Sequence, residues 1–244
     1  MVQRKSVLYF YYYKSSKKEG KIAMQAIFET VFDVCYLSMV IFLGIKMIKK
    51  SKSNRQFFLY GVMAVVLGIG DAFHLLPRAV ALNTTGLAYY SSALGIGKCV
   101  TSVTMTLFYL LFYYVWRERY QMRGRHVLTG MVWGISLIRI LLVVLPQNEW
   151  LSAHPPLVWG IYRNIPFVLL GGCIMTLFYK SVKANKADHF KWIWLTILLS
   201  FIFYLPVVLF SEQLPPIGAL MIPKTCAYVW AVWIGYKTMN KELD

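Results

Sequence analysis

The sequence predicts an all-α fold, a polytopic integral membrane helix bundle of seven transmembrane helices with its N-terminus outside and its C-terminus cytoplasmic. Three observations carry that expectation. Hydrophobic side chains make up 58% of the 244 residues and charged ones 15%, where soluble domains carry about a quarter. Seven segments each hold the roughly 20 mostly apolar residues needed to cross a hydrocarbon core. The 26 Lys and Arg, set against 10 Asp and Glu for a net charge of +16, gather in alternate connections between those segments, as cytoplasmic loops enriched in cations would have it. This composition excludes a water-soluble enzyme, a disordered chain, a collagen and a disulfide scaffold. In a soluble protein the basic excess would point to nucleic acid; here topology accounts for it, and no nucleic-acid partner is expected.

The expected spans are 22–45, 57–77, 87–116, 127–145, 157–179, 192–210 and 217–236. The first is followed by Lys46, Lys49, Lys50, Lys52 and Arg55, which hold its end on the cytoplasmic side. The second ends at Pro77, and the connection 79–86 after it has no Lys or Arg. The third opens on Tyr89 and Tyr90 and closes on Tyr113, Tyr114 and Trp116, amphipathic rings that favour the headgroup level. Arg117, Arg119, Arg123 and Arg125 follow it. The fourth leads into the connection 147–156, again without cations, and Trp150 and Trp159 flank the entry to the fifth. Lys180, Lys183, Lys186 and Lys191 come next, then Trp192 and Trp194 at the start of the sixth. The connection 211–216 is free of cations, and the tail after the seventh carries Lys237 and Lys241. The chain therefore divides into a basic arm 1–21, a single transmembrane domain 22–236 and a cytoplasmic tail 237–244.

The arm conflicts with that orientation, because Arg4, Lys5, Lys14, Lys17, Lys18 and Lys21 would all lie outside. Its apolar run 7–13 is too short for a secretory h-region and no small-residue cleavage site follows. Two readings stay open: a basic arm that a short translocated segment tolerates, or a start at Met24. Cys35, Cys99, Cys173 and Cys226 fall singly in four spans, with no CxxC pair, so neither a zinc site nor a disulfide framework is expected. The compact loops fit a bacterial plasma membrane, while Asn83-Thr84-Thr85 would be a glycosylation sequon in a eukaryote.

The informative residues are charges within the spans, where each costs about 2.5–3.5 kcal/mol near the bilayer centre. They are Glu29 and Asp33 in the first span, Asp71 and His74 in the second, Lys98 in the third, Arg139 in the fourth, Arg163 in the fifth and Lys224 in the seventh. With the N-terminus outside, all eight fall in the outer half of the membrane. Glu29 and Asp33 are spaced i,i+4, Asp71 and His74 i,i+3, and Arg78 continues that face. Each has a plain structural alternative. Glu29 and Asp33 fit the headgroup level, Arg78 a snorkelling anchor, and Asp71 an ion pair with Lys98 or Arg139. Thr101 and Thr104 fit back-bonding to their own helix. Pro166, after Arg163 and Asn164, and Pro223, before Lys224, fit kinks.

Cations outnumber acids within the spans, which predicts an anionic guest, because Arg offers a planar fork for phosphate or carboxylate. The expected partner is membrane lipid, and the expected ligand an anionic lipid headgroup or small amphiphile. Its lining would be Asp71, His74, Lys98, Arg139, Arg163, Asn164 and Lys224, with the bases holding the anion and Asp71 orienting them. No cofactor or metal is expected. In the enzyme alternative Asp71 or His74 acts as general base and Lys98 or Arg163 stabilises the oxyanion. Prolines 166, 206 and 223 within spans leave a transporter open. The last alternative is structural, with the ions only locking helix packing.

Gly68-Ile69-Gly70-Asp71-Ala72-Phe73-His74 resembles the Gly-rich stretch leading to Phe-His in the second span of alkaline ceramidases, within the superfamily of seven-span metal-dependent lipid hydrolases. The resemblance covers those seven residues and the topology, and implies intramembrane lipid hydrolysis. In that family a Ser precedes the His, an Asp follows in the third span, and two His in the last span complete a zinc site. Here Asp71 stands where the Ser is expected, the spacing is one residue shorter, the third span offers Lys98 and the last has no His; His126, His154 and His189 fall in or beside loops. Gly70-Asp71 is also similar to the Gly-Asp of lysoplasmalogenases, which likewise implies a lipid hydrolase.

Overall fold

A computed structural model of the chain describes residues 2–51, 53–185 and 187–243, with the side chains of all these except 2–19, 21, 22 and 215. Its elements are α1 (Val2–Lys50), α2 (Arg55–Asn83), α3 (Ser91–Arg119), α4 (His126–Val144), α5 (Leu157–Ala184), α6 (Ile193–Phe210) and α7 (Met221–Leu243), with 3-10 turns at Pro146–Asn148 and Pro215–Leu220. Seven helical segments are long and apolar enough to cross a membrane, the first being Ala23–Lys50 and the last Pro216–Leu243. The side chains expected to form the basic arm, and Lys52 and Lys186 of the basic connections, lie outside the described residues. The α1 backbone runs unbroken from Val2 into the apolar span.

The helices pack in chain order, α1 on α2 through to α6 on α7, and α7 returns to α1 to close the ring. Contacts between helices that are not neighbours in the ring include α3 with α5 and α2 with α7. Polarity is distributed as lipid demands. Val127, Leu141 and Ile138 of α4 are 80%, 63% and 54% exposed, whereas Asp71, Arg139, Asn164 and Lys224 are buried. Apolar side chains outside and polar ones inside invert the soluble pattern and follow from a solvent that cannot bond polar groups. Aromatic rings fill the centre between these: Tyr60 meets Phe112 and Phe190 edge-on, at 5.9 and 5.6 Å between centroids. Its hydroxyl donates to the Ala231 carbonyl of α7 at 2.7 Å.

Small residues set the closest crossings, as expected where apolar side chains gain nothing by leaving lipid. A Cβ on Gly44 would stand 3.0 Å from the Gly61 carbonyl, and one on Gly61 2.8 Å from the Gly44 carbonyl, so α1 and α2 touch backbone to backbone. Pro77 does not end α2, which continues to Asn83. A proline in a helix leaves the carbonyl four residues back without its donor; here that is Phe73. Gly97 of α3 lies against this carbonyl, where a Cβ would overlap it. The sequence places the boundary at Pro77 because it cannot show the neighbouring helix that covers the freed carbonyl.

Candidate functional site

Asp71 sits on the face of α2 turned into the bundle and is 8% exposed. Its Oδ2 accepts a hydrogen bond from the Tyr36 hydroxyl of α1 at 2.7 Å, and Lys224 is the cation whose field acts on it. The expected partners, Lys98 and Arg139, are thus replaced by a tyrosine and by the seventh-span lysine. Lys224 lies over two rings, Tyr204 of α6 at 5.1 Å and Tyr228 of its own helix at 5.3 Å. Pro223 before it is the third residue of α7, just after the 3-10 turn Pro215–Leu220.

Arg139 is 3% exposed. Its guanidinium carbon stands 3.4 Å from the centroid of the Phe167 ring, stacked as a planar cation on an aromatic face. Two of its three nitrogens, Nε and Nη1, have no hydrogen-bond partner. Its electrostatic neighbours are the hydroxyls of Tyr204, Tyr228 and Tyr109 and the charge of Arg163. Among the described residues, no carboxylate comes within ion-pair distance of Arg139 or Lys224.

The α5 residues border this centre. Asn164 accepts from the Tyr204 hydroxyl at 2.8 Å and donates back to the Gly160 carbonyl at 2.8 Å. Arg163, the next residue along the chain in the N-terminal direction, points to the end of the bundle, donating to Asn148 Oδ1 at 2.8 Å and lying over Trp150 at 4.3 Å. Asn148 in turn donates to the Leu142 and Leu145 carbonyls at 2.7 and 2.9 Å, which closes the C-terminus of α4 where carbonyls lack helical donors. Lys98 is on the exposed side of α3, within the fields of Arg163, Arg78 and Glu212. His74 places Nδ1 3.3 Å from the Leu94 carbonyl.

Asp71, Arg139, Asn164 and Lys224 therefore share one buried centre, joined by Tyr36, Tyr204 and Tyr228, while His74, Lys98 and Arg163 stand at its border. Two further expectations change. Arg78 pairs with Glu29, Nη2 to Oε2 at 2.9 Å; and Thr101 bonds across to the Gly70 carbonyl at 3.0 Å instead of to its own helix. The glycines before Asp71 serve packing: a Cβ on Gly70 would overlap Thr104. Tyr36, Tyr109, Phe167, Tyr204 and Tyr228 were not singled out in the sequence; their only signal was aromatic residues at mid-span, away from the headgroup level. Among the described residues no group of three or more His, Cys, Asp or Glu is arranged to hold a metal ion.

A second polar cluster lies among the basic connections. Arg119 at the end of α3 bonds Asp188 in the α5–α6 loop at 2.7 Å and Glu242 of α7 at 2.7 Å. The Tyr120 hydroxyl donates to Asp188 Oδ2 at 2.5 Å, and the Phe190 N–H to Oδ1 at 3.0 Å. Burial works to raise the Asp188 pKa, but these three donors outweigh it and hold the carboxyl below its ordinary value. Burial and the contact with Asp188 push the Tyr120 hydroxyl up. This cluster ties three elements together at one end of the ring.

The seven spans and the inward-facing polar centre define a multi-pass integral membrane protein. Compared with protein-family models, curated proteins and solved structures, the chain matches none.

Proposed function

We propose that this membrane protein binds an anionic group, of a lipid headgroup or a small amphiphile, at the buried centre of Arg139 and Lys224. With the basic connections in the cytoplasm, the centre lies in the outer half of the bilayer. The observation that carries the reading is Arg139, buried with Nε and Nη1 unpartnered. Taking an ion out of water and leaving it unpaired costs several kcal/mol, and an unsatisfied donor adds about 1–3 kcal/mol. Among the described residues Asp71 is the buried carboxylate at the centre, already engaged by Tyr36 and within the field of Lys224. A phosphate or carboxylate entering there would receive the two free guanidinium donors and the Lys224 ammonium, which is the chemistry that offsets their burial. Tyr204 and Tyr228 flank Lys224, their ring centroids 5.1 and 5.3 Å from its ammonium.

The test is thermal unfolding in a neutral maltoside detergent, titrated with lysophosphatidic acid and oleate and, as the uncharged control, monooleoylglycerol. The two anionic amphiphiles are expected to raise the melting temperature, the control not, and Arg139→Gln is expected to lower the response. Equal responses to all three, or an unchanged response in Arg139→Gln, would overturn the proposal and leave these ions to packing alone.

A further inference from the structure

A separate surface feature runs along the seam where α7 returns to α1. Two cavities follow one another there. One, of about 400 Å³, is lined by Phe32, Tyr36 and Met39 of α1 and by Cys226, Trp230 and Trp233 of α7. The other, of about 350 Å³, is lined by Trp233, Tyr236, Lys237, Asn240 and Lys241. Trp233 lines both, so an apolar groove passes into a basic one along a single face of α7. Sequence spacing builds this face: residues 226, 230, 233, 237 and 241 recur at i,i+3 or i,i+4. From Cys226 to Trp233 the groove follows the helix for about 10 Å, a length that seats part of an acyl chain.

Among the described residues, charge at the lower end is one-sided. Lys46 of α1 lies 4.8 Å from the Phe42 centroid and 5.9 Å from that of Tyr236, which leans its ammonium toward the same cavity. Glu242, in the last turn of α7, is turned away, with both oxygens taken by Arg119 at 2.7 and 2.8 Å. Asn240 accepts from Lys50 at 3.1 Å, bringing a further cation to the rim. Lysines at a span's end beneath an apolar groove, with a tryptophan and a tyrosine at the junction, match the two halves of a lipid: charge and headgroup hydrogen bonds below, hydrocarbon above.

We infer that the α1–α7 seam is a binding site for one anionic phospholipid, its phosphate among Lys46, Lys237 and Lys241 and an acyl chain in the groove past Trp233. The groove borders the Arg139 centre at Tyr36, whose hydroxyl bonds Asp71, and its basic half is on the end of the bundle that carries the basic connections. Native mass spectrometry of the protein, released from neutral maltoside after exposure to equal amounts of phosphatidylglycerol and phosphatidylcholine, tests it. Phosphatidylglycerol is expected to be retained in preference. Lys237→Gln and Lys241→Gln should each lower that retention about fivefold, the equivalent of about 1 kcal/mol per juxtamembrane cation. Lys237→Arg should retain it, Cys226→Trp should lower it by filling the groove, and glycerol phosphate alone should not compete. Lys191→Gln, in the basic α5–α6 connection away from the seam, should leave it unchanged, which separates the seam lysines from basic charge in general. Equal retention of the two lipids, retention insensitive to the two Lys→Gln changes, or competition by glycerol phosphate would each overturn the inference.

Discussion

Tyr36 and Asp71 join α1 to α2 through a 2.7 Å hydrogen bond in which the phenol donates to the carboxylate. The bond gives the buried Asp71 carboxylate a neutral donor beside the field of Lys224. Removing it in Tyr36→Phe leaves Asp71 with Lys224 as its remaining charge partner. A hydrogen bond to a charged group contributes about 1.5–3 kcal/mol, so the variant is expected to lose that much stability, read as a lower melting temperature in detergent.

Asp71 itself distinguishes anion binding from hydrolysis. Its charge repels a phosphate held by Arg139 and Lys224, so Asp71→Asn should tighten binding of lysophosphatidic acid by about tenfold, a gain of about 1.4 kcal/mol. A general base would give the opposite signature, loss of product formation from an unchanged affinity. Equilibrium binding to the variant reads the sign directly.

The cluster at the other end predicts a pH dependence. Asp188 is bonded by Arg119, Tyr120 and the Phe190 N–H, and its folded pKa lies below the ordinary 3.8. A depressed carboxylate contributes stability that is complete above its unfolded value and lost as pH falls through the folded one. Asp188→Asn should therefore lower stability by about 2 kcal/mol at neutral pH, less than a fully broken buried pair because Arg119 keeps Glu242. The gap between the two proteins should close below pH 3.8, measured as melting temperature against pH.

Two glycines of the spans predict opposite signs. Gly97 lies on the Phe73 carbonyl that Pro77 frees, and a Cβ there would overlap backbone, so Gly97→Ala should destabilise by about 2 kcal/mol or more through forced separation of α2 and α3. Gly130 of α4 has nothing within 4 Å of its Cβ direction, and Gly130→Ala should stabilise by about 0.5–1 kcal/mol from helix propensity alone. Unfolding of the two variants side by side checks both.

The seven spans were legible because lipid imposes one rule on every crossing segment, a run of apolar residues long enough to span, and that rule is read from length and composition. Asp71, Arg139 and Lys224 stood out for the same reason, since a charge within such a run is costly wherever it points. What lies between them was not legible. Tyr36, Tyr204 and Tyr228 are ordinary in a chain with 17 tyrosines, and only the packing of α1 on α2 and of α6 on α5 and α7 gives Tyr36 and Tyr204 their partners. The pentapeptide MTLFY illustrates the limit: its copy in α3 ends on the buried Tyr109 of the polar centre, its copy in α5 on Tyr179, which is 46% exposed. The run of Arg78 on past Pro77 into a pair with Glu29 likewise depends on a helix continuing where local rules would end it.

The central claim is that an anion meets the Arg139 guanidinium inside the bundle. Dipolar recoupling between ³¹P of bound lysophosphatidic acid and ¹⁵N of labelled arginine side chains tests it most directly, and leaves the lysines of the α1–α7 seam silent. A phosphorus about 4 Å from a guanidinium nitrogen, the spacing of a phosphate–arginine hydrogen bond, is expected in the wild type and in Arg163→Gln and is expected to vanish in Arg139→Gln. A coupling that persists in Arg139→Gln, or none in the wild type with ligand bound, would contradict the account.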